Sequence, residues 1–118
     1  MKLSNIELEE ILFCLQSVLN HRDKIGYIAA RNTRIIREEL TEYFKYKQEL
    51  LTKYGKIDKE SQSMSIFPDS PNFELFIKEM DQIKDIQHDI GLMTIKYDDT
   101  VGILTGNEIL QLEFMLED

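Results

Sequence analysis

The sequence has 118 residues, close to the commonest size of a single domain, so we expect one domain over residues 1–118. Its 14 Lys and Arg residues against 22 Asp and Glu residues give a formal net charge of −8, which disfavours direct binding to nucleic acid or to an anionic membrane. The single cysteine, Cys14, excludes an intramolecular disulfide, and no apolar run reaches the roughly 18 residues of a membrane span, so we expect a cytoplasmic protein.

The first predicted helix covers residues 4–20. Ser4 is followed three residues later by Glu7, which is the spacing of a reciprocal capping box at a helix start. Apolar residues then recur with the period of a helix buried on one side, at Leu8, Ile11, Leu12, Leu15, Val18 and Leu19. A capped helix with three glutamates does not resemble a secretory signal peptide.

The second predicted helix is long and covers residues 24–54. Asp23 is placed to cap its start, and Gly55 follows its predicted end. At 1.5 Å per residue this helix would be about 45 Å long, more than a compact domain of this size needs. The first helix, folded back as a hairpin partner, covers only its early part. We therefore expect the rest of its apolar stripe to be covered by the C-terminal half of the chain or by another subunit.

The C-terminal half contains two predicted strands and two shorter helices. The β-forming segments 63–67 and 91–97 are expected to pair with each other and to pack on helices. Pro71 stands at the favoured first position of a helix over 71–86, and Thr105 with Glu108 forms a second capping box before a helix over 106–117. The predicted fold class is α+β and mainly α, with an N-terminal helical hairpin and a small two-stranded β element.

The sequence offers no motif for catalysis, metal binding or cofactor binding. His21 and His88 belong to no local nucleophile motif, and the chain has no His or Cys pair with the spacing of metal ligands. Cys14 lies on the apolar face of the first helix, which predicts a buried structural thiol. We therefore predict a non-enzymatic protein without metal or cofactor. An enzyme would need a cleft that brings His21 or His88 together with carboxylates from distant segments.

A candidate interaction surface lies on the long predicted helix. It consists of Arg31, Arg34, Arg37, Tyr43, Tyr46, Leu50 and Tyr54. The arginines form a stripe that could bind phosphate or a carboxylate-rich partner, because guanidinium groups pair well with both. A second possibility is that Glu38, Glu39 and Glu42 neutralise this stripe as ordinary exposed ion pairs. A third is that the stripe receives acidic residues from the segment 54–118 or from a neighbouring subunit. Tyr43 is expected in the core, whereas Tyr46 falls off the apolar stripe and is the better contact candidate.

Three short segments of the chain form a recognisable pattern: the opening Met-Lys-Leu-Ser-Asn, Leu-Leu-Thr-Lys-Tyr-Gly at residues 50–55, and the terminal Leu-Gln-Leu-Glu-Phe-Met-Leu-Glu-Asp. In these segments the chain resembles a family of small phage and prophage proteins that has no established function. The likeness spans essentially the whole chain and implies a phage or prophage origin in a Gram-positive-type host. It implies no active site, because the family has no established one.

Two functional hypotheses follow from these observations. The first is a phage-encoded protein-interaction protein that self-associates through the long helix and serves virion assembly or another late function. The second is an acidic inhibitor of a host defence or nucleic-acid-handling protein. It rests on the unequal charge, since residues 22–53 carry eight Lys or Arg against five Asp or Glu, whereas residues 54–118 carry five against fourteen. Carboxylates of residues 58–118 would then imitate phosphate.

Overall fold

The computed structural model describes residues 1–57 and 64–118, which form a mainly helical fold with small β elements and confirm the α+β class. The described helices are α1 (Asn5–Leu15), α2 (Lys24–Glu39), α3 (Thr41–Tyr54), α4 (Phe73–Asp81) and α5 (Gly106–Gln111). The described strands are β1 (Lys2–Ser4), β2 (Lys56–Ile57), β3 (Met64–Ser65), β4 (Gln87–Asp89), β5 (Ile95–Lys96) and β6 (Leu116–Glu117). Short 3₁₀ turns cover Gln16–Val18, Tyr97–Thr100 and Glu113–Met115.

The predicted helix starts at Ser4, Asp23 and Thr105 are confirmed. The Ser4 hydroxyl accepts a hydrogen bond from the Glu7 amide at 3.2 Å, and the Glu7 carboxylate accepts one from the Ser4 amide at 3.1 Å. Thr105 and Glu108 form the same reciprocal pair at the start of α5. Asp23 accepts hydrogen bonds from the amides of residues 25 and 26. In each case the side chain satisfies amides that have no partner within the helix.

The prediction of one continuous helix over 24–54 is wrong, because the helix is interrupted at Leu40. Leu40 has φ −91° and ψ 10°, so α2 ends at Glu39 and α3 begins at Thr41. The Thr41 hydroxyl donates to the carbonyls of Arg37 at 3.2 Å and Glu38 at 2.9 Å. A threonine that bonds back to the preceding turn competes with the regular backbone hydrogen bonds and bends a helix. The side chain of Leu40 is fully buried at this break.

The other predicted helices are too long. The helix predicted over 4–20 consists of α1 followed by the 3₁₀ turn at 16–18, and the one predicted over 106–117 consists of α5, the turn at 113–115 and β6. Of the helix predicted over 71–86, only α4 forms. The residues after α4 instead contact the start of α1, where the amides of Asn5 and Ile6, which have no partner within α1, donate to the carbonyls of Ile86 and Lys84.

The predicted strand pairing between 63–67 and 91–97 is also wrong. Residue 63 lies outside the described residues, and β3 pairs antiparallel with β2 instead. Only six residues separate these two strands, so this pairing closes a much shorter loop than the predicted one. β5 pairs in parallel with β6, and β1 pairs antiparallel with β4.

The segment before β5 is held by a side chain and not by a strand. The Asn32 amide accepts from the Met93 backbone N–H at 2.8 Å and donates to the Met93 carbonyl at 3.0 Å. These are the two backbone bonds that a neighbouring strand would otherwise provide. Asn32 therefore holds the segment 91–94, which has no regular secondary structure, against α2.

The core joins the N-terminal helices to the C-terminal segment. Its fully buried large apolar side chains are Leu8, Leu15, Val18, Ile25, Ile28, Ile36, Leu40, Ile95, Leu112 and Met115. The helix α1 packs on α2, and α3 packs on α4. The C-terminal half therefore covers part of the apolar stripe of residues 24–54, as predicted. The radius of gyration is nevertheless 16.8 Å, whereas a compact chain of this length has about 13.5 Å. The molecule is therefore elongated.

Candidate interaction surface

The three predicted arginines form an exposed row on α2. The side chains of Arg31, Arg34 and Arg37 are all exposed, and we refer to them as the arginine row. No carboxylate among residues 1–57 and 64–118 lies within 4.0 Å of these guanidinium groups. The expected i,i+4 pair between Arg34 and Glu38 is therefore not formed. The row presents a positive surface to solvent.

Two of the predicted surface residues lie in the core. Tyr43 and Leu50 are each 5% exposed, so neither presents its side chain to a partner. Burial and the nearby charge of Glu9 raise the pKa of Tyr43 to about 12. Glu9 also pairs with Lys47 at 3.0 Å. This group of side chains joins α1 to α3.

Tyr54 is half-buried at the end of α3 and belongs to a different part of the molecule. The Lys53 Nζ lies 4.9 Å from the centroid of its ring. A hydrogen bond with Tyr54 and the charge of Glu79 raise the pKa of Lys53. Tyr54 lines a hollow formed with residues 66–71. The seven predicted residues therefore do not form one continuous surface.

Tyr46 lies in a groove that the sequence did not predict. The groove has a volume of about 400 Å³ and runs between α3 and the segment that follows α4. Its lining residues are Asn5, Glu39, Glu42, Tyr43, Lys45, Tyr46, Glu49, Ile83, Ile86 and His88, and we call it the acidic groove. Three carboxylates against one lysine give it a negative character, and apolar and aromatic side chains line its walls.

His88 joins three elements at one end of the acidic groove. Its Nδ1 lies 2.9 Å from Oε1 of Glu39, and its Nε2 lies 2.6 Å from Oδ1 of Asn5. The amide nitrogen of Asn5 donates to the carbonyl of Ile83 at 2.8 Å, which turns its oxygen towards the imidazole. Both ring nitrogens are thus occupied by Glu39 and Asn5. The imidazole links β4 to the start of α1 and the end of α2.

His21 also contacts carboxylates. Its Nδ1 lies 3.5 Å from Asp23, and its Nε2 lies 3.7 Å from Glu108. Neither histidine therefore stands in open solvent. Exposure of both to open solvent would have excluded a histidine-dependent enzyme. Each instead bridges segments that are distant in sequence, His21 from the start of α2 to α5 and His88 from β4 to α1 and α2.

Two exposed aromatic residues lie close to the arginine row. Tyr27 is 65% exposed and precedes Arg31 by four residues, which places both on the same face of α2. Phe13 of α1 is 75% exposed and lines a hollow with Arg37 and Phe44. Sequence analysis missed both. Their positions outside the apolar stripes of their helices could have indicated exposure, because a large aromatic side chain at such a position does not face the core.

In the described part of the chain, no group of three or more His, Cys, Asp or Glu residues could hold a metal ion. No helix of residues 1–57 and 64–118 is long and apolar enough to span a membrane. Cys14 is half-buried on α1 and unpaired.

No protein-family model, no curated protein and no solved structure matches the chain.

Proposed function

We propose that this chain is a non-enzymatic protein-interaction protein that self-associates through the exposed face of α2 and α3. The observation that carries the proposal is the arginine row, which is exposed, lacks an ion-pair partner among the described residues and lies beside Tyr27 and Phe13. Arginine and aromatic residues are enriched at protein interfaces and supply much of their binding energy. Such a surface offers a partner both charged groups for ion pairs and aromatic surface to bury.

The elongated shape supports the same proposal. A chain with a radius of gyration of 16.8 Å exposes more of its helices than a compact domain of equal length. In this proposal α1 folds back along α2 as a helical hairpin, which leaves the other side of α2 free for a second copy. The interface residues then come from α2 and the start of α3, with Tyr46 included and the buried Tyr43 and Leu50 excluded.

The resemblance to small phage and prophage proteins suggests the setting of this self-association. We propose that the protein acts in the host cytoplasm, in virion assembly or in another late phage function. Assembly proteins act by binding copies of themselves or other structural proteins, which agrees with an interaction surface and no predicted catalytic motif. Genes for virion structural proteins next to this gene would support the proposal, and small early genes would contradict it.

The acidic-inhibitor hypothesis has less support. It requires the carboxylates of residues 58–118 to cluster on one face as an imitation of phosphate groups. The carboxylates that share the acidic groove are Glu39, Glu42 and Glu49, and they come from the basic part of the sequence. We therefore place self-association first.

Sedimentation velocity over a wide range of protein concentrations tests the proposal. We expect the mass-average sedimentation coefficient to rise with concentration. Tyr27→Ser should weaken this self-association, while Leu110→Ser on α5, which is 66% exposed, should leave it unchanged. A strict monomer at the highest concentration would contradict the proposal, and so would equal effects of the two substitutions.

A further inference from the structure

The arginine row and the acidic groove carry net charges of opposite sign. The arginine row occupies positions 31–37 of α2, and the carboxylates of the acidic groove lie at Glu39, Glu42 and Glu49. Glu39 is paired with His88. No cation among the described residues lies within 4.0 Å of Glu42 or Glu49. The arginine row therefore presents unpaired positive charge, and the acidic groove presents Glu42 and Glu49 beside the exposed Lys45, so the two surfaces are complementary in net charge.

From this complementarity we infer that the arginine row of one copy docks in the acidic groove of a second copy. The inference rests on the proposed function, because it specifies how the proposed self-association occurs. Within one copy the row and the groove are not paired, so both remain available to another molecule. When two α2–α3 units lie side by side in opposite directions, each row faces the other groove. One two-fold axis then creates two identical contacts.

The chemistry of the acidic groove suits arginine in particular. A guanidinium group pairs bidentately with a carboxylate, as Glu42 and Glu49 would allow, and its flat face stacks on an aromatic ring such as Tyr46. The aliphatic stem of an arginine packs on apolar surface, which Ile86 offers because it is 51% exposed. A lysine could supply the charge but not the planar contacts.

Reversal of the charges on either side tests the docking. The row variant is Arg31→Glu/Arg34→Glu, and the groove variant is Glu42→Lys/Glu49→Lys. Glu39 is left unchanged because it bonds His88. We expect each variant to raise the dissociation constant for self-association at least about tenfold, because like charges then face each other. An equimolar mixture of the two variants should associate as tightly as the wild type, because acidic rows then meet basic grooves.

Two control variants match the charge changes at other exposed sites. Arg22→Glu/Lys96→Glu matches the row variant, and Glu10→Lys/Glu117→Lys matches the groove variant. Both should keep the dissociation constant within about twofold, since general charge repulsion is screened by salt. Circular dichroism establishes that each variant is folded. If a reversal unfolds the chain, the neutral pairs Arg31→Gln/Arg34→Gln and Glu42→Gln/Glu49→Gln take its place, with at least a threefold loss expected.

The outcomes separate this inference from the proposed function. A wild type that self-associates together with variants that bind as tightly as their controls would overturn the docking and leave self-association standing. Failure of the mixed variants to associate would overturn it as well. A wild type that stays monomeric at every concentration would instead overturn the proposed function itself.

Discussion

The side chain of Asn32 has the position of a core residue and the function of a strand partner. It is fully buried on α2. Its amide makes two hydrogen bonds with the backbone of Met93 and approaches the Met115 sulfur at 3.6 Å. A buried amide is costly unless its hydrogen bonds are made. Asn32 thereby fixes the C-terminal segment against α2.

Replacement of Asn32 by Leu should lower the free energy of unfolding by about 2–4 kcal/mol. Leucine has a similar size, but it leaves the partly buried N–H and C=O groups of Met93 without their Asn32 partner, and each unsatisfied group costs about 1–3 kcal/mol when it is shielded from water. Urea denaturation followed by circular dichroism measures the change. Asn20→Leu, at an exposed position, is the control and should change stability by less than about 0.5 kcal/mol. A small effect at Asn32 would show that its hydrogen bonds contribute little.

Gly26 illustrates a close backbone approach in the first turn of α2. A Cβ atom added at this position would overlap the carbonyl oxygen of His21, because the loop before α2 passes directly over the helix. A Cβ atom added at Gly106 in α5 would meet no heavy atom within 4 Å. Both glycines lie in a helix, so helix propensity alone predicts that alanine stabilises both positions.

The two glycine-to-alanine substitutions should therefore have opposite effects. Gly26→Ala should lower the melting temperature and destabilise the protein by about 1–3 kcal/mol, the usual cost of forcing atoms into a packed site. Gly106→Ala should be neutral or should stabilise by up to about 1 kcal/mol, because alanine restricts the unfolded chain. Differential scanning calorimetry of the two variants compares them directly. Stabilisation by both would contradict the close approach at His21.

Among the helices and strands, features set by residues close together in the sequence could be predicted, whereas features set by distant residues could not. The capping boxes at Ser4 and Thr105 were correct because all their atoms lie within four residues. The break at Leu40 was missed because the stripe continues through it, and Thr41 gives only a weak local signal for a bend. The strand partners were wrong, since pairing depends on which segments the core brings together. The acidic groove was missed for the same reason, because His88 and Glu39 are 49 residues apart.

The cap at the start of α5 should make stability depend on pH in a defined direction. The hydrogen bond from the Thr105 amide lowers the pKa of Glu108 from its ordinary value of 4.5, and the contact with His21 acts in the same sense. A carboxyl with a lower pKa in the folded state binds protons more readily when unfolded. Its contribution is therefore complete above pH 4.5 and is lost as the pH falls through the lower folded pKa.

Glu108→Gln should separate this charge effect from the hydrogen bonds of the cap. Glutamine keeps the capping geometry but removes the ionisation, so the wild type should exceed the variant by about 0.3–1 kcal/mol at pH 6. The difference should shrink as the pH falls from 4.5 towards 3. Urea denaturation at a series of pH values measures both curves. A difference that stays constant from pH 6 to pH 3 would contradict the assigned role of the charge.

Across the whole molecule, two surfaces of opposite net charge, the arginine row and the acidic groove, are not paired with each other within one copy. Among the described residues, neither the arginine row nor Glu42 and Glu49 of the acidic groove have an ion-pair partner. A net charge of −8 favours separation of the copies. Local complementarity opposes that repulsion, so the association should depend on specific positions and not on total charge.

This arrangement predicts that thermal stability depends on protein concentration. If folded copies bind each other and unfolded ones do not, association adds RT ln(1 + [L]/Kd), which reaches about 2.7 kcal/mol at a hundredfold excess over Kd. The wild-type melting temperature should therefore rise by several degrees between concentrations well below and well above Kd. The Arg31→Glu/Arg34→Glu variant should show a flat profile, while Arg22→Glu/Lys96→Glu should follow the wild type. Parallel profiles for all three proteins would place the contact elsewhere, and flat profiles for all three would exclude self-association in this range.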